Sequence, residues 1–113
     1  YGDHLVLLSF PTRRSSDLNP AVLRSIRHII ECGRREGIMV GMCGEAASDP
    51  LMIPLLLAFG LNEFSMSASA ILKARKYITG YSVEELKAVA EQAMGFVTAA
   101  ETQQFMKNFV EGR

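Results

Sequence analysis

Apolar residues recur at helical spacing through Val22, Leu23, Ile26, Ile29, Ile30 and Gly33, while Arg24, Arg27, His28, Glu31, Arg34 and Arg35 fall on the other face. This pattern predicts an amphipathic helix with Asn19 as N-cap, Pro20 as first helical residue and an end near Gly37. Its basic face and His28 are assigned to solvent, and Cys32, in the last turns, to packing. Ile38 to Met42 then reads as a short, fully buried strand of the kind found in a parallel sheet covered on both faces. Asp49 caps a second helix, Pro50 to Phe59, that is apolar nearly all round and must be buried on most sides. Pro54 lies early enough in it for the missing N–H to matter little, and Gly60 stops it. Glu63 to Ser67 alternates Phe64 and Met66 against Ser65 and Ser67, which predicts a second strand. A helix follows from about Ser69 to Gly80, carried by Ile71, Leu72, Ala74, Arg75 and Ile78. Ser82-Val83-Glu84-Glu85 and Thr98-Ala99-Ala100-Glu101 are capping boxes that open two further helices, read as a terminal helical hairpin. The order helix, strand, helix, strand, helix is that of a parallel α/β architecture, and two strands alone do not make a stable sheet.

Residues 1–18 break this regularity. Leu5 to Leu8 is apolar and can be read as a strand followed by a basic loop, but Ser9 to Leu18 has neither helical nor strand periodicity. Asp3 and His4 precede too short an apolar run for a signal peptide. Phe10-Pro11-Thr12-Arg13-Arg14-Ser15-Ser16-Asp17-Leu18 resembles the translation of sequencing-adapter DNA, so residues 1–18 are expected to be non-native and 19–113 to form the fold.

The 113 residues suffice for one modest domain, and 49% hydrophobic with 21% charged residues fits a globular α/β chain. Twelve Lys and Arg balance twelve Asp and Glu, which leaves no bulk charge to attract nucleic acid or an anionic membrane. The apolar run from Leu51 to Leu61 is about half the length needed to span a bilayer. Cys32 and Cys43 lack a CxxC partner or a His at ligand spacing, so reduced thiols in a cytoplasmic protein are expected, with no zinc site and no disulfide. The chemistry-bearing candidate is Cys43, where an apolar strand gives way to the bendable segment Gly44-Glu45. A thiol there is held by the strand and exposed by the loop, yet cysteine is also among the most buried residue types. From the residues alone both roles stay open. A cysteine hydrolase is disfavoured because no base stands at recognisable spacing, His28 being on a charged helix face and His4 in the irregular segment.

Five blocks, Asn19-Pro20-Ala21-Val22-Leu23, Gly41-Met42-Cys43-Gly44-Glu45, Asp49-Pro50-Leu51, Pro54-Leu55-Leu56-Leu57 and Asn62-Glu63-Phe64-Ser65-Met66-Ser67, together resemble the C-terminal end of the PEP-utilising enzymes. Related dikinases and PEP synthases share the Cys-Gly segment, but the Pro-Leu-Leu-Leu helix and Phe-Ser-Met-Ser strand look closer to the phosphoenolpyruvate-protein phosphotransferases of the bacterial sugar phosphotransferase system. The resemblance covers residues 19–113. It implies a (β/α)8 TIM barrel, of which this chain holds the last two strands, their flanking helices and a C-terminal helical hairpin. Such a barrel needs roughly 250 residues. It also implies an enzyme that takes phosphoryl from phosphoenolpyruvate, releases pyruvate and phosphorylates a protein histidine. Cys43 matches the family's catalytic cysteine, the acid that protonates C3 of the enolpyruvate.

Further implications concern what the matched region lacks. The family's magnesium-binding Glu and Asp, its Gly-Thr-Asn-Asp segment, its phosphate-clamping arginines and its phosphorylatable histidine all precede it. Mg2+ is thus expected in the full-length parent only, as are the histidine phosphocarrier partner, reached through an N-terminal domain, and a homodimer. Asp49 is read as a helix cap, Glu45 as a polar neighbour of the Cys43 loop, and Arg75 as a surface or packing residue. Ser65 and Ser67 receive no role. The isolated segment is expected to be inactive and, with open strand edges and an exposed apolar face on the Pro50 helix, prone to aggregate. The competing reading is a non-enzymatic oligomerisation module derived from the barrel end.

Overall fold

The computed structural model describes residues 5–9 and 18–112. Three parallel strands, β1 (Leu5–Ser9), β2 (Met39–Cys43) and β3 (Glu63–Ser65), form one sheet in the order β1-β2-β3, with β2 central. Helix α1 (Pro20–Arg35) leads from β1 to β2, and α2 (Ile53–Phe59) leads from β2 to β3. Helices α3 (Ala68–Thr79), α4 (Val83–Met94) and α5 (Ala99–Glu111) complete the chain. Parallel strands need crossovers of about this length, and helices supply them. Leu5–Ser9, set aside on sequence grounds, forms the first strand here, so the sheet has three strands where two were expected. His4 and residues 10–17, including most of the expected basic loop, lie outside the described residues.

The helix starts follow the predicted capping chemistry. Asn19 Oδ1 accepts from the Ala21 N–H at 2.9 Å. Ser82 and Glu85 close a reciprocal capping box, with Glu85 N–H donating to Ser82 Oγ at 3.2 Å and Ser82 N–H to Glu85 Oε2 at 2.9 Å. Thr98 Oγ1 also accepts from the Glu101 N–H at 3.2 Å, but the Glu101 carboxylate takes the Thr98 hydroxyl at 2.8 Å and not its backbone N–H, so the second expected capping box is only half formed. The second helix departs from expectation. Asp49 caps a turn, its Oδ1 accepting from the Leu51 N–H at 2.9 Å, and regular helix begins only at Ile53. Pro54 explains the shift, because a proline is tolerated only in the first turn, and α2 begins one residue before it.

Leu23, Ile26 and Ile30 of α1 pack with Val40 and Met42 of β2. Gly33 lets the helix end approach the strand: a Cβ there would overlap Val40 Cγ2 and lie 3.1 Å from the Ile38 carbonyl oxygen. The Ile38 N–H donates to the Gly33 carbonyl at 2.7 Å and pins the approach. The expected exposed face of the Pro50 helix is covered. Ile53, Leu55 and Leu56 are fully buried, and α2 is enclosed by α1, α3 and α4, with Val89, Ala90 and Ala93 of α4 joining its core. Burying a Leu or Ile side chain stabilises by roughly 1.5–3 kcal/mol, so this short helix anchors the fold. Helix α3 behaves differently: only Ala74 is buried, and Ile71 and Leu72 stay 43% and 78% exposed.

Candidate functional site

Cys43 is the last residue of the central strand, one place beyond the strand end expected from sequence. In register it stands between Ser9 of β1 and Ser65 of β3, so the three residues form a row across the C-terminal edge of the sheet. Parallel α/β sheets place their chemistry at this edge, where rigid strands hand over to loops. The thiol is half-buried, and Sγ donates to the Leu8 carbonyl at 3.3 Å. Met42, immediately before it, is fully buried, which fixes the backbone from which the thiol projects.

Gly44 turns the chain sharply out of the sheet with φ 86° and ψ −165°, a conformation essentially reserved for glycine. A single 3-10 turn, Glu45–Ser48, follows. Its Ala46 and Ala47 are buried, and the turn packs against β2, β3, α2 and α3. The loop that follows Cys43 is therefore anchored by two small apolar side chains. Glu45 itself is exposed, and among the described residues its carboxylate makes no hydrogen bond to Cys43. Asp49 is engaged in the turn before α2. Ser65 and Ser67 are exposed, with Ser67 Oγ 3.2 Å from Ser69 Oγ. Arg75 is exposed and lines a cavity of about 370 Å³ with Glu63, Phe64, Ser65, Ile71 and Ile78, between β3 and α3.

His28 sits on α1, exposed as predicted, and the geometry brings it to Cys32. Sγ of Cys32 is 3.5 Å from His28 Nε2 and accepts from Arg35 Nη2 at 3.2 Å. Packing was the role expected for Cys32; the half-buried thiol instead belongs to a polar cluster. The signal was present in the spacing, since residues 28, 32 and 35 lie at i, i+4 and i+7 on one helix face. Both cysteines are free. Among the described residues no three His, Cys, Asp or Glu side chains gather to hold a metal ion, and no helix is long and apolar enough to cross a membrane.

Comparison with known proteins places these residues in context. Residues 9–83 match the model of the PEP-utilising enzyme, PEP-binding domain. The chain is 51% identical over 89 residues to the phosphoenolpyruvate-protein phosphotransferases of Bacillus sp. (strain S) and Geobacillus stearothermophilus, covering 79% of this chain and 15% of each relative. It is 46% identical over 93 residues to that of Staphylococcus aureus, covering 82% of this chain and 16% of the relative. The chain thus spans about one sixth of the length of these relatives.

Proposed function

Because this chain belongs to the PEP-utilising enzyme family through its PEP-binding domain, we propose that it forms the C-terminal part of the PEP-binding barrel of a phosphoenolpyruvate-protein phosphotransferase, with Cys43 as proton donor. The supporting observation is the position of Cys43, half-buried at the C-terminal end of the central parallel strand. When phosphoryl leaves phosphoenolpyruvate for a protein histidine, the remaining enolate needs one proton at C3 to become pyruvate. Cys43 gives its S–H proton to that carbon, the C2–oxygen bond becomes a carbonyl, and the thiolate regains a proton from solvent. A positioned acid of this kind typically contributes 10²–10⁴-fold.

Gly44 and the buried Ala46 and Ala47 position the donor, and the exposed Glu45 and Ser65 border it. Transfer from phosphoenolpyruvate in this class uses magnesium. Among the described residues no three His, Cys, Asp or Glu side chains gather to fit the ion, and no step here runs through it. In this reading β2 and β3 are the last two strands of a (β/α)8 barrel in the parent, residues 1–18 are foreign to it so that Leu5–Ser9 takes the sheet edge where a parent strand would pair, and the enzyme works in the cytoplasm with a histidine phosphocarrier protein as acceptor. The exposed Ile71 and Leu72 on α3 favour, as a second reading, an association surface such as the parent's homodimer contact.

The test grafts residues 19–112 onto the Geobacillus stearothermophilus relative in place of its matching segment. Pyruvate release should persist in the chimera and fall about 10²–10⁴-fold with Cys43→Ala, while phosphoenolpyruvate binding is retained. Unchanged turnover in the Cys43→Ala chimera removes the proton-donor role.

A further inference from the structure

We propose that Cys32, through His28 and Arg35, is the thiol of this chain that exchanges with a small disulfide such as oxidised glutathione. The proposal rests on the α1 cluster alone and is independent of any role for Cys43. An activated cysteine needs a base within reach of its proton and an electropositive, accessible setting. Cys32 has both: His28 Nε2 is 3.5 Å from Sγ, and the Arg35 guanidinium donates to the same sulfur at 3.2 Å. Cys32 is half-buried and His28 and Arg35 are exposed, so the cluster lies on the solvent-facing side of α1.

One opposing effect has to be weighed. Cys32 lies in the last turn of α1, and the carbonyl end of a helix carries about half a negative charge. The Arg35 guanidinium sets a full positive charge 3.2 Å from the sulfur and opposes that partial charge at close range. Cys43 is set the other way. Its S–H is held by the Leu8 carbonyl, and among the described residues no base or cation bonds to its sulfur.

In the exchange the Cys32 S–H proton passes to His28 and the sulfur bonds one sulfur of the disulfide. The old S–S bond breaks, and its electron pair leaves with the second sulfur, which takes the proton back from the imidazolium. Cys32 ends as a mixed disulfide, and one small thiol is released.

The experiment treats the whole chain with excess oxidised glutathione, quenches with acid and follows each cysteine-bearing peptide by mass spectrometry. Cys32 should react roughly tenfold faster than Cys43. His28→Gln and Arg35→Gln, both at exposed positions, should each slow Cys32 towards the Cys43 rate with an unchanged circular dichroism spectrum. In concentrated urea the two rates should converge. Equal or faster reaction at Cys43, no slowing in either variant, or a preference that persists in urea overturns the proposal.

Discussion

Replacing Gly33 by Ala sets two effects of opposite sign against each other, and the geometry decides between them. Within a helix, Ala is favoured over Gly by about 1 kcal/mol, and less in the last turn, where Gly33 lies. Against this, the new methyl overlaps Val40 Cγ2 and meets the Ile38 carbonyl at 3.1 Å. Val40 is 5% exposed and β-branched, so it has no alternative rotamer into open space. The backbone is no freer to retreat, because Ile38 N–H is bonded to Gly33 O at 2.7 Å. Overpacking of this kind costs roughly 1–3 kcal/mol. The net expectation is a loss of about 1–2 kcal/mol, which in a domain near this size lowers the melting midpoint by roughly 4–16 °C. Urea unfolding followed by circular dichroism measures it, with a Val40→Ala partner to complete a double-mutant cycle. Val40→Ala alone destabilises by about 1.5–3 kcal/mol through lost burial and a small cavity. In that background the obstructing Cγ2 is gone, and Gly33→Ala should become neutral or stabilising. The account is refuted if Gly33→Ala stabilises the parent chain, or if its cost is the same with and without Val40.

Two further outcomes follow from the loop and the hairpin. Gly44→Ala forces a side chain onto φ 86° and ψ −165° and should cost roughly 1–3 kcal/mol in urea unfolding; it should also speed thiol labelling of Cys43 as the bond to Leu8 O loosens, and no change in either quantity would contradict the assigned turn. Ser82→Ala removes one side of the capping box and should cost about 1 kcal/mol, read as a lower unfolding midpoint, with a Thr replacement keeping most of the stability.

The elements that announce themselves by local chemistry were legible in the sequence. Asn19, Ser82 and Thr98 cap helices through backbone N–H groups only two or three residues away, a relationship that survives without tertiary information. The alternation through Phe64–Ser67 likewise appears as half-buried against exposed side chains, although the strand ends at Ser65 and not at the expected Ser67. What was not legible depended on distant partners. The start of α2 was misplaced because Pro54 and Asp49 compete, and the proline's ring, not the aspartate's cap, decides where regular helix begins. Helix α3 carries apolar residues at helical spacing, yet among the described residues Leu72 stays largely uncovered. Leu5–Ser9 has no partner in its sequence neighbourhood; its register with Met39–Cys43 exists only across the chain. At the candidate site the strand-end position of Cys43 was read to within one residue. The partner of its proton, the Leu8 carbonyl, was not foreseeable from a segment with no periodicity beyond Leu8.

The enclosure of α2 by α4 also sets a schedule for the chain during synthesis. Phe59, the last residue of α2, is made about 35 residues before Met94 completes α4, so at 5–20 residues per second the cover arrives roughly 2–7 seconds after the surface it protects. Through that interval the growing polypeptide carries a helix with almost no polar side, held on one flank by α1 and bare on another. A nascent chain in this state is a natural client for a chaperone stationed at the ribosome, and a pause in translation between Gly60 and Met94 lengthens the time it spends there.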